Sequence, residues 1–341
     1  MFDVITIGSA TKDNYLISKF KLIDWPETPL KKAIVLPFGE KMGVDDIYST
    51  VGGNAVNASI TFARQGFKTA CAAKLGVDAA AEELKSRLKK EGVNTKLIAY
   101  SKNTPTAYSV LLLVNGERTI LGYYGASNTL TLEDWNFKKL KSKWWYLSLS
   151  GESDKIFRNL INFAKENNIK IAFNPTGHHI KHKRQEILEA LKDIAFLVLN
   201  ESEAAELTGI SFENPLKAFQ TLDEWTPGIV AVTRGDRGVT VSDGKFIYTA
   251  GIFKDQTIID RTGAGDAFGG GFVSGLIHRE KLKKGKDEAF DLEDIKYATR
   301  LASANATSVV ETLGASEGAL TKEKFDREPR WRDFEIEARP L

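Results

Sequence analysis

Ile258-Ile259-Asp260-Arg261-Thr262-Gly263-Ala264-Gly265-Asp266-Ala267-Phe268 is the stretch on which the reading of the whole chain turns. A β-type dipeptide runs into Thr-Gly-Ala-Gly and a helical pattern begins at once, so successive backbone N–H groups face outward at the positive end of a helix. Such a place holds anions. Two glycines let a bulky oxyanion approach the backbone, and Asp266 in the first helical turn lies within reach of whatever docks there. A carboxylate beside an anion hole repels phosphate, so its economical role is that of a general base. It takes a proton from an attacking hydroxyl while Gly263, Ala264 and Gly265 stabilise the charge on a transferred phosphoryl group. Two other readings stand beside this one. Asp266 complements the helix dipole and the glycines pack on the strand, or Gly263-Ala264-Gly265 opens a dinucleotide fingerprint whose third glycine, Gly269, falls one place late.

Outward from this stretch the chain alternates strands and helices. Val4 to Ile7 is a β-branched run ending at Gly8-Ser9, as in a buried parallel strand. Val56, Ile60, Ala63 and Arg64 are helically spaced and stop at Gly66. A strand over Thr69 to Leu75, a helix over Ala79 to Lys90, and strands at Trp145 to Leu147, Lys170 to Phe173, Ile194 to Leu199 and Ile229 to Thr233 follow. Helices over Asp154 to Asn167 and Lys183 to Leu191 separate several of these. The pattern predicts a doubly wound, mainly parallel α/β sheet with helices on both faces. Lys12 to Thr50 reads as an insertion. The runs Ala107 to Val114 and Arg118 to Tyr123, joined by Asn115-Gly116, read as a hairpin, and the two together predict a small separate sheet. The last twenty residues, with Pro329, Trp331 and Pro340, read as a surface tail.

Composition narrows the function classes. The chain has 341 residues, enough for two ordinary domains at about 150 residues each or for one large α/β domain with an appendage. The 47 Lys and Arg against 45 Asp and Glu leave +2, too even a balance for the broad basic field that nucleic acid requires. One cysteine, Cys71, forbids an intrachain disulfide and suits a reducing cytoplasm. In its apolar run it reads as a core residue. The N-terminal residues read as carrying no export signal, and no apolar run is long enough for a membrane span. His178-His179-Ile180-Lys181-His182 has i, i+4 histidines, but no further ligands near it, and reads as a solvated basic loop rather than a zinc site.

Asp260 to Phe268 resembles the D-T-T-G-A-G-D-x-F signature of the ribokinase, or PfkB, carbohydrate kinases. The other signature of that family is similar to Gly52-Gly53-Asn54-Ala55-Val56-Asn57-Ala58 followed by Ala63-Arg64-Gln65-Gly66. Gly8 to Asp13 resembles the family's first strand and substrate aspartate. Asn200-Glu201-Ser202-Glu203 is like its N-x-x-E motif, and Thr233 to Gly238 like its T-x-G-x-x-G nucleotide loop.

The resemblance implies a ribokinase-like kinase domain over residues 1–330, with a β lid from insertions at about 14–50 and 104–125 and a tail over 331–341. It implies transfer of the γ-phosphoryl group of ATP to a primary hydroxyl of a ribose- or fructose-like sugar. Asp266 would be the base and Gly263, Ala264 and Gly265 the anion hole. Asp13, Gly52, Gly53 and Asn57 would bind the acceptor, and Asn200, Thr233, Gly235 and Gly238 the ATP. Glu203 would hold Mg²⁺ through water, Asp260 would support a monovalent cation such as K⁺ with Gly314 nearby, and the lid would pair two chains into a homodimer. Departures bear on the acceptor: Asn54 stands where ribokinases carry lysine, Ser150-Gly151 where they carry a glutamate, and Arg261 where a small residue is usual. A nucleoside kinase of the same family, with Phe38, Tyr48, Tyr108 and Tyr123 as candidate walls for a base, is the alternative. A sensor that kept the fold and lost turnover fits poorly with an intact Asp266.

Overall fold

The adjacent Trp144 and Trp145 lie in one strand, so the two-residue period sends them to opposite faces of the sheet. Trp144 joins a cluster with Val4, Tyr146, Phe196 and Phe272, and Trp145 one with Ile5, Ile7, Leu147 and Phe173. Both faces are therefore covered, which explains why the strands read as continuous apolar runs. The computed structural model describes residues 1–27, 31–114, 116–283 and 289–341, so Asn115 of the Asn115-Gly116 turn lies outside the described residues.

In chain order the main elements are β1 (Phe2–Gly8), β2 (Thr11–Ile17), β3 (Asp46–Gly52), α1 (Asn54–Arg64), β4 (Thr69–Ala72), α2 (Ala79–Lys90), β5 (Ala107–Val114) and β6 (Glu117–Tyr123). Next come β7 (Ser142–Ser148), α3 (Phe157–Glu166), β8 (Lys170–Phe173), α4 (Gly177–Ala190), β9 (Phe196–Asn200), α5 (Glu201–Thr208), α6 (Pro215–Trp225) and β10 (Ile229–Thr233). The chain ends with β11 (Val239–Ser242), β12 (Phe246–Ala250), α7 (Ala264–Glu280), α8 (Leu292–Val310) and β13 (Glu337–Pro340).

The large sheet has the order β13-β12-β11-β10-β9-β8-β7-β1-β4. Pairing is parallel from β4 through β10 and antiparallel from β10 to β13. Helices α1, α7 and α8 pack on one face through Phe62, Phe272 and Ala302, and α3 to α6 on the other through Leu160, Ile187, Leu207 and Leu222. This is a ribokinase-like α/β fold. A second sheet, ordered β6-β5-β2-β3, draws its strands from the two segments that interrupt the alternation. Its register places Asp13, Thr50, Ser109, Leu111 and Ile120 on one face and Ile47, Leu121 and Tyr108 on the other.

Three sequence expectations need correction. The segment read as a surface tail is structural: β13 pairs with β12, and Trp331 is 2% exposed against Phe253, Leu301 and Phe325. The predicted strand Thr69–Leu75 stops at Ala72, and Lys74–Leu75 pairs instead with Ala99–Tyr100. The histidine run is not a loop. It forms the start of α4, capped by Thr176, and a non-helical Lys183 inside that helix accounts for the later start predicted from sequence. His179 is fully buried edge-on against Phe157 and Phe173, and burial pushes its imidazole down to about 3.

Candidate active site

The carboxyl ends of the parallel strands, where open α/β sheets bind ligands, carry three adjoining cavities. The first, of about 490 Å³, lies under the inner face of the second sheet and is lined by Asp13, Gly53, Asn57, Gly263 and Asp266, with Tyr123 and Tyr124 at one side. A second, of about 290 Å³, is lined by Asn200, Glu203, Thr233 and the run Gly263 to Asp266. The third, of about 380 Å³, is lined by Asn200, Thr233, Gly235, Gly238, Ala264 and Gly265, with apolar walls from Val239, Ile252 and Phe268. Asp266 is shared by the first and second cavities, and Arg118 of β6 lines all three.

The helix start that separates these cavities is built as the sequence predicts. Gly263 is the N-cap of α7 with φ 77°, and the first intrahelical bond is donated by Ala267 N–H to Gly263 O at 2.8 Å. The amides of Ala264, Gly265 and Asp266 therefore have no partner within the helix. A side chain at 263 would be strained by that φ and would place Cβ 2.1 Å from Ala315 O, so only glycine fits. No heavy atom stands within 4 Å of where a Cβ on Gly265 would lie, leaving open space at the helix end.

Asp266 is 7% exposed, and burial pushes its carboxyl up to about 7. Asn57 Nδ2 donates to Oδ2 at 3.0 Å, favouring the ionised form, and Asn174 Nδ2 lies 3.4 Å from Oδ1. Asn174 also donates to the Tyr146 hydroxyl at 3.2 Å. Glu203 is raised to about 7 as well, chiefly by burial. With Asn200 it forms a capping box at the start of α5, each backbone N–H donating to the other's side chain at 2.9 Å.

Asp13 sits on the inner face of the second sheet, where burial holds its carboxyl above the ordinary range despite a 2.8 Å hydrogen bond from Thr11 Oγ1. Gly52 lines none of the three cavities. It makes room for Asp13, whose Oδ2 lies 1.8 Å from where a Cβ on residue 52 would stand. Asp260 is also outside the cavities. It is fully buried and accepts from Thr262 N at 2.9 Å, Thr262 Oγ1 at 2.6 Å and Gly314 N at 3.1 Å. Among the described residues no group of three or more His, Cys, Asp or Glu gathers as a metal site.

The chain matches the pfkB family carbohydrate kinase profile over residues 20–322. It belongs to that family. PfkB carbohydrate kinases are phosphotransferases that act on sugar hydroxyl groups, and the chain is one of these enzymes. Its relatives include a ribokinase of Haemophilus influenzae, 26% identical over 282 residues that span 80% of this chain and 88% of that one. A cytidine kinase of Thermococcus kodakarensis is 38% identical over 127 residues, 37% of this chain and 45% of that protein. Among solved structures, a putative ribokinase II from E. coli in complex with ATP and Mg²⁺ aligns with a TM-score of 0.74 at 20% identity, covering 94% of this chain and 96% of that one.

For a PfkB kinase the arrangement gathers residues that the sequence signals separately and adds two that it does not. Asn174, at the end of β8, stands next to a proline and belongs to no signature; only the fold brings it to Asp266. Arg118 lies in the predicted hairpin, but its place over all three cavities follows from the second sheet folding back over the strand ends. Arg261 bridges to the same sheet through an ion pair with Glu117 at 2.8 Å. Of the four aromatic residues named as walls for a base, Tyr123 lines the cleft. Tyr108 faces the other side of its sheet, Phe38 is fully exposed and Tyr48 packs against Tyr15.

Proposed function

We propose that the protein transfers the γ-phosphoryl group of ATP to a primary hydroxyl of a ribose- or fructose-like sugar. The observation that carries this reading is the position of Asp266: buried, gripped through both oxygens by asparagines, and exposed to an acceptor cavity on one side and a helix N-terminus on the other. In this reading the sugar occupies the 490 Å³ cavity with hydroxyls against Asp13, Gly53 and Asn57. ATP lies along Thr233, Gly235 and Gly238 with its phosphates toward Asn200.

Asp266 takes the hydroxyl proton as the oxygen attacks, and a carboxyl pushed up to about 7 is basic enough to do so near neutrality. The amides at the start of α7 and the guanidinium of Arg118 meet the negative charge on the moving phosphoryl group. Glu203 fits Mg²⁺ binding through water: its carboxylate is held by one backbone amide and opens on the junction cavity. The ion, when bound, supplies charge neutralisation across the phosphate oxygens. Asp260, with protein donors on both oxygens, braces the anion hole, which is where support by K⁺ would act. The second sheet serves as the lid that excludes water, and its outward apolar residues pair two copies into a dimer. The buried Cys71, its thiol pushed up to about 12, fits a cytoplasmic enzyme.

A nucleoside acceptor is the second reading. It is favoured by the apolar and aromatic side of the acceptor cavity, formed by Leu111, Ile120, Tyr123 and Tyr124. The deciding experiment is ADP release with ATP and Mg²⁺ against pentoses, hexoses, their phosphates and nucleosides, with Asp266→Asn as the blank. Turnover on a sugar supports the first reading and on a nucleoside the second. The expected loss in the variant is about 10² to 10⁴ in turnover, the usual worth of a positioned base. A variant with full turnover overturns the assignment of Asp266.

A further inference from the structure

Behind the anion hole runs the loop that follows α8. Its Gly314 donates to Asp260, and the backbone of Ala315 is pressed against Gly263 so closely that no side chain fits between them. Whatever fixes this loop fixes the N-cap of α7. Three side chains from distant parts of the chain, Arg64, Arg87 and Thr50, do so. Arg64, in the last turn of α1, donates from Nη1 to the carbonyls of Ser316 at 3.3 Å, Glu317 at 2.8 Å and Ala319 at 2.9 Å. The rest of its guanidinium is held in a bidentate pair with Glu91, both contacts at 2.9 Å.

Glu317 points the other way. Its Oε2 accepts from Arg87 Nη2 at 2.7 Å, and its Oε1 accepts from the hydroxyl of Thr50 at 2.7 Å. Thr50 is on β3, directly opposite Asp13 in the second sheet. A short path thus runs from the acceptor aspartate to the anion hole: Asp13 is opposite Thr50 in the sheet, Thr50 bonds Glu317, and the loop backbone leads from Glu317 to Ala315, which is pressed against Gly263. The two arginines and two glutamates of this cluster are all largely shielded from water. A charge there left without its partner is costly, so the four hold one another in a single arrangement.

We propose that Glu317 and Arg64 are positioning residues which couple the second sheet to the anion hole, so that an acceptor bound against Asp13 sets the loop that shapes the phosphate site. Glu317 carries the link to the sheet, and Arg64 keeps the loop rigid enough to transmit it. This inference rests on the assignment of the two cavities to acceptor and ATP, and it predicts reciprocal coupling between the two ligands.

The test measures binding of the non-hydrolysable analogue AMP-PNP with Mg²⁺ to the intact protein, alone and with saturating ribose or cytidine. In the natural protein one of these acceptors is expected to tighten AMP-PNP by about 5-fold or more, the lower range of coupling between sites. In Thr50→Val, which keeps the side-chain shape and the Glu317–Arg87 pair, that factor falls to about 1 while affinity for AMP-PNP alone stays unchanged. Glu317→Gln gives the same loss with a lower kcat and an unaltered KM for ATP. A residue that only stabilised the fold would lower the melting temperature and leave the coupling intact. Retention of the full factor in Thr50→Val, or its absence from the natural protein that binds both ligands, overturns the inference. Failure of the natural protein to bind AMP-PNP at all overturns instead the assignment of the cavities.

Discussion

On the proposed mechanism, Asp266 couples catalysis to stability through one proton. Burial pushes its carboxyl up to about 7 in the folded chain, against an ordinary value of 3.8. Between those values the folded state keeps a proton that the unfolded state has released, so this group's contribution makes stability fall as pH rises through the window. Asp266→Asn removes that dependence. Its melting temperature is expected to match that of the natural protein below the unfolded value, to exceed it increasingly up to about pH 7, and to hold a constant gain above. Thermal melts of both proteins across pH check this. Asn57 acts on the same proton from the other side: its N–H favours the charged carboxylate, so Asn57→Ala is expected to move the acid limb of the rate profile to higher pH.

At this scale the sequence is legible where a backbone requirement forces a residue type. Gly263 can be read because a side chain there would strike Ala315, whereas Gly52, expected from sequence to bind the acceptor, instead makes room for Asp13. Asn174 is silent because an asparagine can sit at the end of any strand, and only the closed sheet brings it to Asp266.

Elements divide the same way. The parallel strands are readable because burial on both faces demands continuous apolar runs. β13 is not, since Glu337-Ala338-Arg339-Pro340 has no apolar run and owes its strand form to the edge of β12, whose partner Tyr248 lies far back in the chain. The segment before it follows the same logic: Trp331 fills a pocket among Phe253, Leu301 and Phe325, and its indole donates to Glu328. Trp331→Ala is expected to cost about 3–5 kcal/mol in urea unfolding, the usual price of an emptied aromatic site. Activity per folded molecule should persist, because the residue lines none of the three cavities.

Among the described residues of the whole molecule, one face has no counterpart. Ile47, Tyr108 and Leu121 are large, exposed and gathered on the outward side of the second sheet, a concentration that usually marks an interface. On the dimer proposal, light scattering gives twice the chain mass for the natural protein and a single chain for Leu121→Lys with Ile47→Lys. A monomeric natural protein removes the proposal without touching the chemistry. The sheet itself could be foreseen from two interruptions in the βα rhythm. Which of its faces meets the cleft could not, because that depends on a parallel pairing of β2 with β5 across a long sequence separation.

The order in which the site residues occur along the chain has a consequence for synthesis. The strands that carry Asp13, Asn174, Asn200 and Thr233 leave the ribosome first, whereas Gly263 to Asp266, the loop of Gly314 to Glu317 and the closing strand β13 all come late. A nascent chain halted after β10 has Asp13, Asn174, Asn200 and Thr233, but neither Asp266 nor the amides at the start of α7. On the proposed roles, competence waits until the start of α7 and the loop after α8 have been made, and a chain truncated before them is expected to release no ADP from ATP.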